Sequence, residues 1–94
     1  MIVHKYTLPN PSPFGSVVHE LEMPMDAWIL QIQEQHGQIA FWVIVDPEKE
    51  KETRRFLIQG TGQELDCDID DLVYADTVQI DGFAWHIFEI SPMS

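Results

Sequence analysis

Short runs rich in Val, Ile, Thr and aromatic residues recur along the chain, separated by turn residues. This is the signature of strands, not helices. The first run is Ile2 to Leu8 and the second Ser16 to Met23. Between them PNPSPFG carries three prolines in five positions, which excludes regular structure there. Ala27 to Gln35 and Gln38 to Asp46 flank His36-Gly37, a two-residue turn of the hairpin kind. If residue numbers in this hairpin sum to 73, Trp28 faces Val45, Leu30 faces Val43 and Ile32 faces Phe41 on one apolar face. The other face pairs Gln31 and Gln33 with Trp42 and Ala40, and sets Ile29 near Ile44. A slip of one residue would destroy this agreement.

Thr53 to Gly60 reads as a further strand, in which Phe56 and Ile58 alternate with Arg55, Leu57 and Gln59. DPEKEKETRR before it reads as a solvated loop, or as a short helical turn begun at Asp46-Pro47. Tyr74 to Ile80 and Phe83 to Ile90 form a second hairpin about Asp81-Gly82, and SPMS is a tail. Phe83–Ile90 is apolar at six of eight positions, so both of its faces need cover, from an opposite sheet or from a second subunit. About seven strands and no convincing long helix predict an all-β, mainly antiparallel fold. The expected form is a meander closed into a small barrel or folded into a two-layer sandwich. The 94 residues suit one domain spanning 1–94.

Sixteen acidic residues against five basic ones leave a net charge of −11, a surface that repels DNA and RNA at long range. The charge serves solubility, or it mimics nucleic acid before a basic groove. A single cysteine, Cys67, cannot form an internal disulfide, which fits a reducing compartment. The N-terminus lacks a signal-peptide pattern. The longest apolar run, Ile39 to Val45, falls far short of the roughly 20 residues of a membrane helix. The sequence therefore reads as a soluble, cytoplasmic protein.

The chemistry-bearing residues do not assemble a catalytic set. There is no G-x-S-x-G motif, and Cys67 lies among Asp66, Asp68, Asp70 and Asp71, whose charge suppresses a thiolate. DCDIDD has EF-hand spacing at its start, but Asp71 stands where Gly is needed and Thr77 where Glu is needed. His4, His19, His36 and His86 lack zinc-ligand spacing, although His4 and His19 could meet across the first two strands. Gly60-Thr61-Gly62 lacks the Lys and the frame of a P-loop and reads as a turn. The expectation is no enzyme, no metal and no cofactor.

The ordered blocks KYTL (Lys5–Leu8), ELEMP (Glu20–Pro24), AWILQIQ (Ala27–Gln33), FWVIVDPE (Phe41–Glu48), ETRRFLIQGTG (Glu52–Gly62) and WHIFE (Trp85–Glu89) cover most of the chain. In this order it resembles a family of small uncharacterised bacteriophage and prophage proteins. The resemblance implies a compact domain acting in the host cytoplasm, and no catalytic residue to carry over; the Pro-rich link at 9–15 looks longer than the family's usual one. Two mechanisms follow. One is a homo-oligomeric binding protein that sequesters a small, nucleotide-derived host immune signal. Its pocket would be lined by Trp42, Trp85 and Phe88, with His86 and with Arg54 and Arg55 for phosphate. The other is an acidic inhibitor that occupies a basic site on a host defence enzyme. An accessory structural role in the phage is a third reading. None of the three involves direct nucleic-acid or membrane binding.

Overall fold

Both Gly-ended dipeptides turn the chain as their residue types dictate. His36 and Gly37 have φ of 53° and 78°, and Asp81 and Gly82 have 52° and 83°, so each turn has both central residues in the left-handed region that twists strands into a tight hairpin. In a computed structural model, described for residues 1–9 and 16–91, these turns join β3 (Trp28–Gln35) to β4 (Gln38–Val45) and β6 (Leu72–Ile80) to β7 (Phe83–Ile90). The remaining strands among the described residues are β1 (Ile2–Leu8), β2 (Val17–Pro24) and β5 (Lys51–Gly60), with a 3₁₀ turn at Ile69–Asp71. The Pro-rich link at 10–15 and the end of the tail at 92–94 lie outside the described residues.

The seven strands form two antiparallel sheets, β1-β4-β3 and β2-β5-β7-β6. They pack as a two-layer sandwich and do not close into a barrel. The meander expected from sequence adjacency holds only at the two hairpins. Three other connections change sheet, and β5 to β6 skips over β7. The changes of sheet at β2–β3 and β4–β5 brace each other: Met25 N donates to Glu50 O at 2.8 Å, and Lys49 Nζ pairs with Asp26 at 2.9 Å. Asp46–Glu50 is a turn and not a helix, with Lys49 N bonded to Asp46 O at 3.1 Å.

The sandwich measures 40 × 33 × 16 Å, thin enough that both sheets share one layer of core. At its centre Phe41 of β4 meets Phe56 of β5 edge to face, with ring centroids 4.9 Å apart. Ile39, Val43, Met23, Ile58 and Ile87, all essentially inaccessible, surround the pair. Strand β7 turns Trp85 and Ile87 into this layer. Its other row, Ala84, His86 and Phe88, is half-buried among side chains of its own sheet. Outer cover therefore comes largely from neighbours within the sheet: Phe88 lies between Leu57 and Tyr74 in register. Five consecutive residues of β5, Phe56 to Gly60, are buried, where simple alternation predicts burial of every second one. Part of that cover is the segment after β5, because Gln59 Nε2 donates to the carbonyls of Gln63 and Glu64 at 2.9 and 3.0 Å.

The β3–β4 register follows the sum of 73 from Gln31 to Gln35 and then breaks. Leu30 is bulged, and beyond it Ile29 opposes Val43 and Trp28 opposes Ile44. The extra residue flips the strand's parity. Trp28 and Leu30 are thereby moved off the apolar face to 71% and 50% exposure, while Ile29 packs on the core. A second bulge at Ala75 interrupts β6 against β7.

Phe56→Ala should lower the unfolding free energy by about 3–5 kcal/mol, a large fraction of the total for a domain this small, read from urea denaturation. Burial also holds the His19 imidazole below its ordinary value of 6.5, so near and below that pH the unfolded chain binds more protons there. The contribution is complete above about pH 6.5 and is lost as the pH falls through the folded-state value. Urea midpoints should drop between about pH 7.5 and about pH 5.5, and His19→Gln should narrow the difference.

Candidate functional site

Residues of one parity in a strand share a face. Arg54 shares the inward row of β5 with Phe56 and Ile58, and Glu89 shares that of β7 with Trp85 and Ile87. Two opposite charges on core-facing rows must find each other or remain unpaired in a poorly solvated place. They form a fork: Arg54 Nε donates to Glu89 Oε2 and Nη2 to Oε1, both at 2.6 Å. Arg54 Nη1 donates to Ala27 O at 2.8 Å and approaches Met23 Sδ at 3.4 Å. The guanidinium carbon lies 5.9 Å from the Phe56 ring centroid. The Glu89 bond raises the Arg54 pKa above its ordinary value, against the opposing effect of burial. The pair thus ties β5 and β7 to the β2–β3 link at one end of the core.

This fork floors an open cleft of about 390 Å³ where β3 and β6, the edge strands of the two sheets, run side by side. Its walls are Trp28, Val73 and Tyr74, which are 71%, 60% and 59% exposed. The Leu30 bulge puts Trp28 there, and the Ala75 bulge leaves Tyr74 facing outward, edge to face with Phe88 at 5.8 Å. Past the bulges the groove becomes polar, with Gln31, Gln33 and Glu34 on one bank and Asp76, Thr77 and Gln79 on the other. Neither Glu34 nor Asp76 has a salt-bridge partner among the described residues.

Two other arrangements lie nearby. His86 is held between two hydroxyls, with Thr61 Oγ1 2.8 Å from Nε2 and Thr77 Oγ1 3.0 Å from Nδ1; Tyr74 OH extends the chain at 2.7 Å. These hydroxyls fix the orientation of the imidazole ring. At the far end of β5, Gly60 to Gln63, Phe83 and Trp85 line a depression of about 270 Å³. A Cβ on Gly60 would lie 2.9 Å from both Gln63 Cδ and Trp85 Cζ3, so the turn requires glycine there. Three amides of this turn are engaged: Gly60 N by Gln63 Oε1, Thr61 N by Ala84 O and Gln63 N by Gly60 O. That is a turn, not a phosphate cradle.

The six residues expected to line one pocket are dispersed. Trp42 lies on the outer face of the β1-β4-β3 sheet, between Lys5 and Gln31. Trp85 is in the core, Arg54 is committed to Glu89, and Arg55 is exposed on the opposite face of β5, opposite Glu20 and Ile90. Only His86 and Phe88 remain together, on the outer face of the second sheet. Trp28, Val73 and Tyr74 were not foreseen, because the bulges leave no signature in the hydropathy pattern. The Arg54–Glu89 pair was foreseeable from parity alone.

Among the described residues no group of three or more His, Cys, Asp or Glu side chains could hold a metal. His4 and His19 sit in different sheets, and DCDIDD forms a capped 3₁₀ turn in which Asp68 Oδ1 accepts from Asp70 N at 3.0 Å. No helix among the described residues is long and apolar enough to cross a membrane. A family model described as "Domain of unknown function (DUF7352)" matches residues 1–93. No curated protein and no solved structure matches the chain.

Glu89→Ala should cost about 2–3 kcal/mol by stranding the guanidinium, measured by urea denaturation. The paired replacement Arg54→Met with Glu89→Leu should recover most of that loss.

Proposed function

The chain belongs to the DUF7352 family, and from that premise we propose that it acts by binding and not by catalysis, with a basic protein surface as its partner. The observation that carries this reading is the exposed trio Trp28, Val73 and Tyr74 over the Arg54–Glu89 fork. Aromatic side chains held in solvent beside a rigid ionic floor are the kind of anchor that protein interfaces bury at their centres. The charges that accompany the groove, Glu34 and Asp76, are both acidic and sit on a chain of net charge −11. A partner of opposite sign is drawn in and oriented by that field. In the phage setting implied by the sequence resemblance, such a partner is a host defence enzyme with a basic nucleic-acid groove.

A nucleotide-derived ligand finds less support. It would need cations free to receive phosphate, yet Arg54 is neutralised by Glu89 and Arg55 lies on the other face of its strand.

The tagged protein and its Trp28→Ala/Tyr74→Ala variant, incubated with bacterial lysate over a salt series, should differ. The native form should retain a basic protein that is released as salt rises, and the variant should lose it at every salt concentration. Retention of the same proteins by both forms would refute the reading, as would a small anionic molecule found on the purified protein by native mass spectrometry.

A further inference from the structure

Each sheet leaves two edge strands whose outward amides and carbonyls are available to another strand. The four edges are not equally defended. β3 is broken by the Leu30 bulge and β6 by the Ala75 bulge. β2 carries Glu20 and Glu22 and ends in Pro24. β1 has no bulge and no proline; all seven of its residues stay in continuous register with β4. No backbone hydrogen bond outside the strand ladders reaches it among the described residues. Its one charge, Lys5, does not guard the edge, because Nζ reaches back across β4 to Gln35 Oε1 at 2.8 Å.

Charge placement isolates the same sheet. The strands of β1-β4-β3 contain one basic and one acidic residue, Lys5 and Glu34, so the entire net charge of −11 lies outside them. Two copies meeting through the other sheet or the links bring acidic surfaces together, which costs electrostatic energy. Two copies meeting along β1 do not. Ile2 and Val3, 51% and 58% exposed, then gain apolar cover.

We propose that β1 is a self-association edge: two copies pair antiparallel about a two-fold axis, β1 to β1, into a continuous six-stranded sheet. In the register that aligns the inward rows, Ile2 meets Leu8 and His4 meets Tyr6, so the exposed end of each β1 lies beside the buried end of the other, and Lys5 lies on the axis with its Nζ drawn back to Gln35. Because β1 and β3 are opposite edges of the sheet, both grooves stay open. Their β3 strands stand roughly 24 Å apart, five strand spacings, and the dimer is bivalent toward any partner with two sites. The dimer stands on the edge and the charge, independently of what the groove binds.

Sedimentation velocity on the full chain should show a monomer–dimer equilibrium. Hydrogen exchange should slow with rising concentration at the outward amides of β1 and not at those of β2, β3 or β6. Val3→Glu/Thr7→Glu, both at exposed positions, should abolish the dimer with the circular dichroism spectrum unchanged, whereas Val18→Glu on the β2 edge should leave it intact. If the double variant unfolds, the concentration-dependent exchange of the native chain decides the matter. A monomer at every concentration overturns the proposal. So does a dimer that persists in Val3→Glu/Thr7→Glu, or one without slowed exchange in β1.

Discussion

The contact between Phe41 and Phe56 is the constraint on which the rest of the molecule depends. A slab only 16 Å deep has one layer of interior, and these two rings, one from the middle of each sheet, fill its centre. Inward rows must therefore be apolar or fully paired. Where the layer runs out toward the β2–β3 link, the row of β5 continues as Arg54 and that of β7 as Glu89, and the two charges close the end of the core by binding each other. The fork works as a boundary. It lets the core stop without exposing Phe56, and it gives the open cleft a rigid polar floor.

From that boundary the open groove follows. Edge strands of a sandwich need a defence against unwanted pairing, and bulges supply one. Here the bulges at Leu30 and Ala75 lie in the two edge strands that run side by side, and each changes which way its neighbours point. Trp28 is the consequence: a side chain that regular pairing would bury stands in solvent instead. Charge is distributed unevenly between the two sheets as well. The sheet β1-β4-β3 carries one basic and one acidic residue in its strands, and the net charge of −11 lies outside them.

The strands were legible because the turns and the periodicity agreed. His36-Gly37 and Asp81-Gly82 named both hairpins, and Ile32 opposite Phe41 was read correctly from alternation. Strand order was not legible. Adjacency in sequence says nothing about which sheet a strand joins once links such as Met25–Ala27 cross the core. The six candidate pocket residues are dispersed for a related reason, the parity of the strands that carry them. Parity sends Trp85 inward and His86 outward as immediate neighbours, and it puts Arg54 and Arg55 on opposite faces of β5. The same rule would have flagged Arg54 and Glu89 as partners. Trp28 could not have been reached that way, since a bulge is one extra residue and carries no hydropathy signal of its own.

The measurement that bears most directly on this account is hydroxyl-radical footprinting of the three tryptophans in the native protein. Trp28 should oxidise fastest, Trp42 more slowly, and Trp85 only on unfolding, in line with a bulged β3 and a shared single-layer core. Protection of Trp28 to the level of Trp85 would mean that β3 pairs without its bulge, and the groove between β3 and β6 would lose the side chain on which its reading as a binding site stands.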